Sequence, residues 1–498
     1  SRIMGIKASL IKPFAKNAAK NIQKWSSQPL EAQEKVFQDL LAVLKNTAFG
    51  KEHNMEKVNS YEAFREHIQV NDYENLSPYI DRIIAGESDV LWKGIPKYFA
   101  KTSGTTSGVK YIPLTKESIP NHFGTARNAM FNFAAKADKF DFFDGNMIFL
   151  SGSPELTKTG GIHTGRLSGI VNHMVPSWLR SSQLPSYETN CIEEWEDKLE
   201  KIVDETLNRD MRLISGIPPW VQMYYERLLE RSGKKHVKDI FPNYSIFAYG
   251  GVNFEPYRQI LEELVGERLK SVETYPASEG FIAFQDNVEN DGLLLNVNSG
   301  IFFEFIPLDE INTSNPTRIS LKEVKRGVNY AIILNTNAGL WGYNIGDTVE
   351  FVSTAPYKVR VTGRIKHFIS AFGEHVIGKE VEEAMLYASK KHNARLVEFT
   401  VAPNINPEDG STAHHQWLIE FEQEPNNLEQ FAKSIDEEMC RQNIYYKDLI
   451  EGNVLSPLRI KKLERDAFRR YMKSQGKLGG QNKVPRLSND RKIAEQLY

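Results

Sequence analysis

Two cysteines, Cys191 and Cys440, are all that a chain of 498 residues carries. That leaves no material for a disulfide scaffold or a thiolate metal cluster, and reduced thiols in a cytoplasmic protein are the expected state. Long apolar runs are missing as well. None approaches the roughly 18 consecutive residues of a membrane span, so stable insertion in a bilayer is not expected. Charge of one sign is absent: 62 Lys and Arg stand against 64 Asp and Glu, for a formal net charge of −2. The basic residues are scattered, which removes the electrostatic case for nucleic acid as a main ligand. Internal repeats and low-complexity tracts are also lacking. What is present is 41% hydrophobic residues, ample for burial over two or three domains.

The segment from Met4 to Trp25 spaces Lys7, Lys12, Lys16, Lys20 and Lys24 among apolar residues. It has no uninterrupted apolar centre and no small-residue cleavage site, so it does not read as a signal peptide. It reads as an amphipathic helix with a solvated lysine face, and contact with a membrane surface is the alternative. Leu30–Asn46 follows as a helix with Val36, Phe37, Leu40, Leu41 and Leu44 on one face. Short buried strands are expected at Asn146–Ser151, Arg212–Ser215, Ser245–Tyr249 and Ser271–Tyr275, with helices at Pro219–Arg231 and Glu255–Leu264. That alternation predicts an α/β layer with mostly parallel strands. From about 281 to 362 six strand-like runs separated by turn residues predict an antiparallel, barrel-like subdomain. After Arg364 the pattern becomes a compact α+β unit: a helix over Gly378–His392, strands over Arg395–Ala402 and Gln416–Glu422, and a helix over Leu428–Asn443. Domains of 1–364 and 365–498 are therefore expected.

The stretch from Lys101 to Lys110, KTSGTTSGVK, holds five hydroxyl side chains and two glycines. Glycines let backbone approach an anion closely, hydroxyls and N–H groups can wrap phosphate oxygens, and Lys110 supplies charge. The spacing is not that of a Walker A loop. Composition alone also suits a plain surface loop. The strand-like flanks Tyr98–Ala100 and Tyr111–Leu114 hold both ends, as a binding loop requires.

In order and content this stretch resembles the phosphate-binding motif of adenylate-forming enzymes, and more narrowly that of the GH3 acyl-acid amido synthetases. Further segments are similar to that family in sequence order. Tyr275-Pro-Ala-Ser-Glu279 resembles its Tyr-x-x-Ser-Glu motif, although Pro276 replaces a more usual small residue. Phe247–Asn253 carries Tyr249, Gly250 and Gly251 at a strand end. Leu340–Asp347 resembles the Tyr-x-x-Gly-Asp motif, with Asn344 where many members carry Arg. Thr362–Ile369 resembles the interdomain hinge, with Arg364 at the nucleotide and Lys366 at the hinge. Gly479–Arg486 resembles the C-terminal strap that carries Lys483.

The resemblance implies a large N-terminal adenylation domain of α/β layers plus a β-barrel subdomain, with a smaller mobile α+β C-terminal domain. It implies an enzyme that uses ATP and Mg²⁺ to turn a carboxylic acid into an acyl-adenylate, releases pyrophosphate, and passes the acyl group to an amine, an amino acid. Lys483, Glu279 and Thr105 would be catalytic, with Glu279 the metal ligand. Ser103, Gly104, Thr105, Thr106, Ser107, Gly108 and Lys110 would bind phosphate. Tyr249, Gly250, Gly251, Tyr275, Ser278, Asp347 and Arg364 would hold the rest of the nucleotide, Asp347 through the ribose hydroxyls. A carboxylate offers two acceptor oxygens to a vicinal diol, which suits that role. Trp220, Met223 and Tyr224 are candidates for the acid pocket, and His163 is a weaker one. A monomer or weak dimer acting on small molecules is expected. An acyl-CoA ligase and a non-catalytic nucleotide-binding protein are the alternatives.

Overall fold

The computed structural model describes residues 4–105, 108–250, 254–311, 313–365, 368–369, 371–374, 376–475 and 484–498. Within them a hairpin of β1 (Tyr98–Thr105) and β2 (Gly108–Leu114) joins β4 (Thr157–Thr159) and β5 (Ile162–Gly165) in one small sheet, with β5 parallel to β1. The parallel layer consists of β3 (Asn146–Phe149), β6 (Gln183–Leu184), β7 (Met211–Ser215), β8 (Ile246–Gly250) and β9 (Lys270–Ala277). From β9 the sheet continues antiparallel through β10 (Gly280–Gln285), β11 (Leu293–Leu295), β16 (Tyr357–Arg364), β15 (Tyr343–Thr354), β14 (Asn329–Thr336), β12 (Ile301–Pro307) and β13 (Ile319–Ser320). The antiparallel subdomain is thus continuous with the parallel layer, and β9 is the strand that belongs to both. β17 (Phe368–Ile369) and β18 (Val376–Ile377) form a short pair. The C-terminal unit pairs β19 (Arg395–Asn404), β20 (His414–Gln423) and β21 (Arg459–Lys462).

Every strand expected from periodicity forms, because each run alternates or continues apolar residues that the sheet buries. The expected Pro219–Arg231 and Glu255–Leu264 helices run over Pro218–Ser232 and Glu255–Val265. Both start with Pro in the first turn and end at a left-handed glycine, Gly233 or Gly266. One expectation changes in kind. The Lys101–Lys110 stretch is strand for most of its length, with Thr102 opposite Lys110 and Ser103 opposite Val109. The β-branched and aromatic flanks extend the ladder almost to the tip, so the phosphate-loop candidate is the end of a hairpin.

The main core packs Phe37, Leu40, Leu44, Phe64 and Ile80 from the early helices against Phe303, Phe305, Ile332 and Phe351 of the antiparallel strands. A second core joins Ile214, Phe247, Tyr224 and Leu261 of the parallel layer to Phe399, Trp417 and Phe431 of the C-terminal unit. The Ile119–Ala137 helix carries one buried liability. His122 is fully enclosed, and its Nδ1 has no hydrogen-bond partner among the described residues. Burial pushes its imidazole down to about 4. A histidine held neutral this way binds its proton in the unfolded chain first. Stability is therefore intact above pH 6.5 and falls as pH drops from 6.5 towards 4, by about 3 kcal/mol from this residue. His122→Leu removes that share of the acid limb, which urea titrations at pH 7 and pH 4.5 would measure.

Candidate active site

The carboxyl ends of parallel strands are where α/β sheets present ligands, and the motif residues collect at that edge of β8 and β9. Tyr249 and Gly250 end β8 opposite Glu273 and Thr274 of β9. Gly250 lies so close to β9 that a Cβ would meet the Thr274 carbonyl at 2.6 Å, so only glycine fits that register. Tyr249 is buried, with its ring stacked 5.6 Å from Phe247.

Ala277 pairs directly with Gly280, which makes Ser278-Glu279 the two-residue tip of the β9–β10 hairpin. The tip is fixed from outside. Asn121 accepts from the Phe281 N–H at 2.7 Å and donates to the Ser299 carbonyl at 3.1 Å. Glu279 is buried at the tip, and the Tyr343 hydroxyl lies 3.5 Å from its Oε1. Burial raises the Tyr343 phenol well above its ordinary range. The Glu279 carboxylate adds to that shift, followed by Tyr73 and Asp72. Tyr73 in turn accepts from the Tyr111 N–H at 2.9 Å, on the β2 side of the hairpin. Glu279 and Tyr73 thus both act on the Tyr343 phenol, and Tyr73 is anchored to the middle of the β1–β2 hairpin.

Asp347 reaches the same place from β15. The segment before it is clamped by Asn71, whose amide donates to the Trp341 carbonyl at 2.8 Å and whose backbone bonds Gly342 and Asn344. The β14–β15 register then slips between Ala331 and Ile333, leaving a bulge at Ile345–Gly346. Gly346 adopts a φ of 91°, and Asn344 Oδ1 accepts its N–H at 2.9 Å. A bulge re-aims the side chain that follows it. Here it turns the buried Asp347 carboxylate to the Tyr275 hydroxyl, which donates to Oδ2. Asn344, which departs from the family pattern, thus has a role in shaping the bulge. Asp347 also sits opposite Arg364 across β15 and β16. Tyr275, Glu279 and Asp347 are the sequence-derived candidates that the described side chains bring together, with Tyr249 and Gly250 beside them on β8.

Lys110, opposite Thr102 towards the end of the β1–β2 hairpin, and Ser278, in the β9–β10 turn, are half-buried. Ser103, Gly104, Thr105, Gly108 and Arg364 lie on strand backbone, and their side chains are outside the described set. Thr106, Ser107, Gly251, Lys366 and Lys483 lie outside the described residues altogether. The acid-pocket candidates divide. Tyr224 is fully buried and donates to Thr206 at 2.7 Å, which makes it core. Trp220 packs 5.0 Å from Trp195, and Met223 lies at the margin of the same cluster. His163 is exposed on β5, with the Tyr98 ring 6.4 Å away.

Sequence reading missed a contact between the C-terminal unit and the hairpin. Tyr445, on the Ile444–Glu451 helix, donates its hydroxyl to the Lys101 carbonyl at 2.6 Å. Arg166, just after β5, lies 5.1 Å from the Tyr445 ring and pairs with Asp448. Burial lowers the Arg166 guanidinium, against the raising influence of Tyr445 and Glu193. Behind it Lys198 is buried, donating to the Ser151 and Asn190 carbonyls at 2.8 Å each. Its ammonium is pushed down to about 8, by burial first and then by Arg166. No single-sequence signal marks these residues, because each is an ordinary helix or loop residue until the units meet. Arg166→Ala leaves Asp448 without its cation and Tyr445 without its ring contact. Amide hydrogen exchange across 444–451 should then quicken roughly tenfold or more.

Known proteins match along nearly the whole chain. The GH3 family N-terminal domain matches residues 18–190 and 163–270, the central domain 294–364, and the C-terminal domain 379–492. The chain belongs to the GH3 family. This GH3 protein is 22% identical over 504 residues to the jasmonoyl–L-amino acid synthetase JAR6 of Nicotiana attenuata, covering 85% of each chain. It is 22% identical over 571 residues to the 4-substituted benzoates–glutamate ligase GH3.12 of Arabidopsis thaliana, covering 96% of each. Its fold superposes on the acyl acid amido synthetase AtGH3.15 with a TM-score of 0.62, at 18% identity, over 97% of this chain and 95% of that one. The α/β architecture of the GH3 protein is thus the one that solved amido synthetase carries.

Proposed function

We propose that this GH3 protein is an ATP-dependent acyl-acid amido synthetase. The observation that carries the reading is the convergence of Tyr275, Glu279 and Asp347 at the carboxyl edge of β8 and β9, on the side of the Ser/Thr/Gly hairpin. Family membership and relatives named as acid–amino acid ligases support it.

In the first half-reaction an oxygen of the substrate carboxylate bonds to the α-phosphorus of ATP, and the bond from that phosphorus to the pyrophosphate oxygen breaks. In the second, an amine attacks the acyl carbonyl, AMP leaves with the bridging oxygen, and the nitrogen gives up a proton. The protein contributes positioning and charge complementarity without a covalent intermediate. Asp347 accepts from the ribose hydroxyls, with Tyr275 holding its second oxygen. Tyr249 and Gly250 offer a flat wall to the adenine. The hairpin residues Ser103 to Gly108, with Thr105 at the reacting phosphate and Lys110 following on the second strand, surround the phosphates. Arg364 reaches the ribose or α-phosphate. Lys483 supplies a cation during adenylation, and rotation about Lys366 withdraws it before amide formation.

Glu279 suits Mg²⁺ shared with a nucleotide. It is a buried carboxylate on a turn, and no cluster of three or more ligating side chains accompanies it among the described residues. A hard ion that takes one carboxylate and completes its shell from phosphate oxygens and water fits that donor set. Bound there, the ion would neutralise phosphate charge.

The deciding assay is pyrophosphate release across a panel of carboxylic acids, followed by acceptor competition between amino acids and coenzyme A. Acid-dependent release with amide formation supports the reading. Thioester formation in place of amide would make the protein an acyl-CoA ligase, and release with no acid would overturn it.

A further inference from the structure

The first helix, Ile6–Ser26, has two apolar faces, and the described residues cover one of them. Ala8, Ile11, Ala15, Ala18 and Ile22 are buried, several of them against Phe131, Phe133, Phe140 and Phe142. The helix is locked in place at its start, where the Asp144 carboxylate accepts from Gly5 N at 2.7 Å and Ala8 N at 2.8 Å. On the opposite side Ile6, Leu10 and Phe14 are 82%, 67% and 69% exposed. A spacing of four residues sets them in one stripe. Large apolar side chains so exposed on a rigid, docked helix need a partner.

Cations outnumber acids along this pair of helices. The helix carries five lysines and no acid, and the Ile119–Ala137 helix packed beside it carries Arg127 and Lys136 and no acid. Lys16, Lys20 and Lys24 are exposed and continue along the outer side of the helix beyond the stripe, while Lys12 sits over the Phe140 ring at 5.3 Å. Lys7 reaches Ser182. Of the acids near the ends of these helices, Asp144 caps the first helix, and Asp141 faces Lys139 and Arg212 at 3.7 and 4.0 Å. Asp138 is exposed at the end of the second helix. In a chain with a net charge of −2, such a face is a local concentration of cations.

We infer that this face docks the protein on an anionic phospholipid surface, with Ile6, Leu10 and Phe14 entering the headgroup–acyl boundary and the lysines meeting lipid phosphates and carboxylates. A convex ridge of three apolar residues with adjoining cations suits a deformable, anionic, planar partner. Lysines can lay their methylene stems along the apolar zone while the ammonium groups stay in water. The GH3 family match begins at residue 18, so the stripe precedes it, and the nucleotide-site candidates lie on other elements. This docking does not depend on the proposed ligase activity.

The test is flotation of the full chain with vesicles of phosphatidylcholine alone and of phosphatidylcholine containing phosphatidylserine. The chain should float with the anionic vesicles only. Leu10→Asp with Phe14→Asp should lower the bound fraction roughly tenfold, and Lys16→Glu with Lys20→Glu and Lys24→Glu should do the same. Both variants should keep the wild-type melting temperature, since the changed side chains are exposed. Failure to float with anionic vesicles overturns the inference. So does binding lost only in the lysine variant, which would mark a general polyanion site. A drop in oligomeric mass in the Leu10/Phe14 variant without vesicle binding would assign the stripe to a second copy of the chain, and that also overturns it.

Discussion

Asp347→Ala is expected to remove acid-dependent ATP–pyrophosphate exchange, by roughly two to four orders of magnitude. Two charge-assisted hydrogen bonds to a ribose diol are each worth about 1.5–3 kcal/mol in a buried site, and alanine forfeits both. The carboxylate is buried and already takes the Tyr275 hydroxyl, so it meets a nucleotide desolvated and oriented. Truncation also leaves that phenol without this acceptor, and some stability is lost with it. Asp347→Asn separates the two effects. It keeps one acceptor oxygen for Tyr275 and replaces the other with an NH2 donor that cannot accept from the ribose, so melting should return towards wild type while exchange stays well below it. Normal exchange in Asp347→Ala would remove this residue from the nucleotide site.

Glu279→Gln should raise the Mg²⁺ concentration needed for half-maximal pyrophosphate release by at least roughly tenfold. The change preserves shape and keeps an oxygen within reach of the Tyr343 hydroxyl, so the hairpin tip should hold its place. What disappears is the negative charge of the one carboxylate that a hard divalent cation would take from the protein here. The signature is a shifted metal titration with unchanged binding of ATP in the absence of metal. An unchanged metal titration would make Glu279 a structural partner of the Tyr343 hydroxyl.

The sequence carried much of this architecture, and the reasons differ by region. The parallel strands β7 and β8 announce themselves as short apolar runs, because a sheet covered on both faces buries every residue. The Leu428–Gln442 helix shows because one face carries the buried apolar residues Phe431, Ile435 and Met439. What stayed hidden depends on tertiary meeting. The strand register of β1–β2 is invisible in a run of Thr, Ser and Gly, whose composition suits a loop as well as a hairpin end. The bulge that aims Asp347 needs the β14 partner as well as Gly346. The Arg166–Asp448 pair joins residues 282 positions apart in sequence. Tyr224 was legible only as a member of an amphipathic helix, and its hydroxyl bond to Thr206 decides which way it points.

A crystal of the full chain soaked with AMP locates the nucleotide site. The adenine should lie against Tyr249 and Gly250, the ribose hydroxyls on Asp347, and the phosphate at the β1–β2 hairpin within reach of Glu279. AMP bound elsewhere on the protein, with no ribose hydroxyl on Asp347, would contradict that placement.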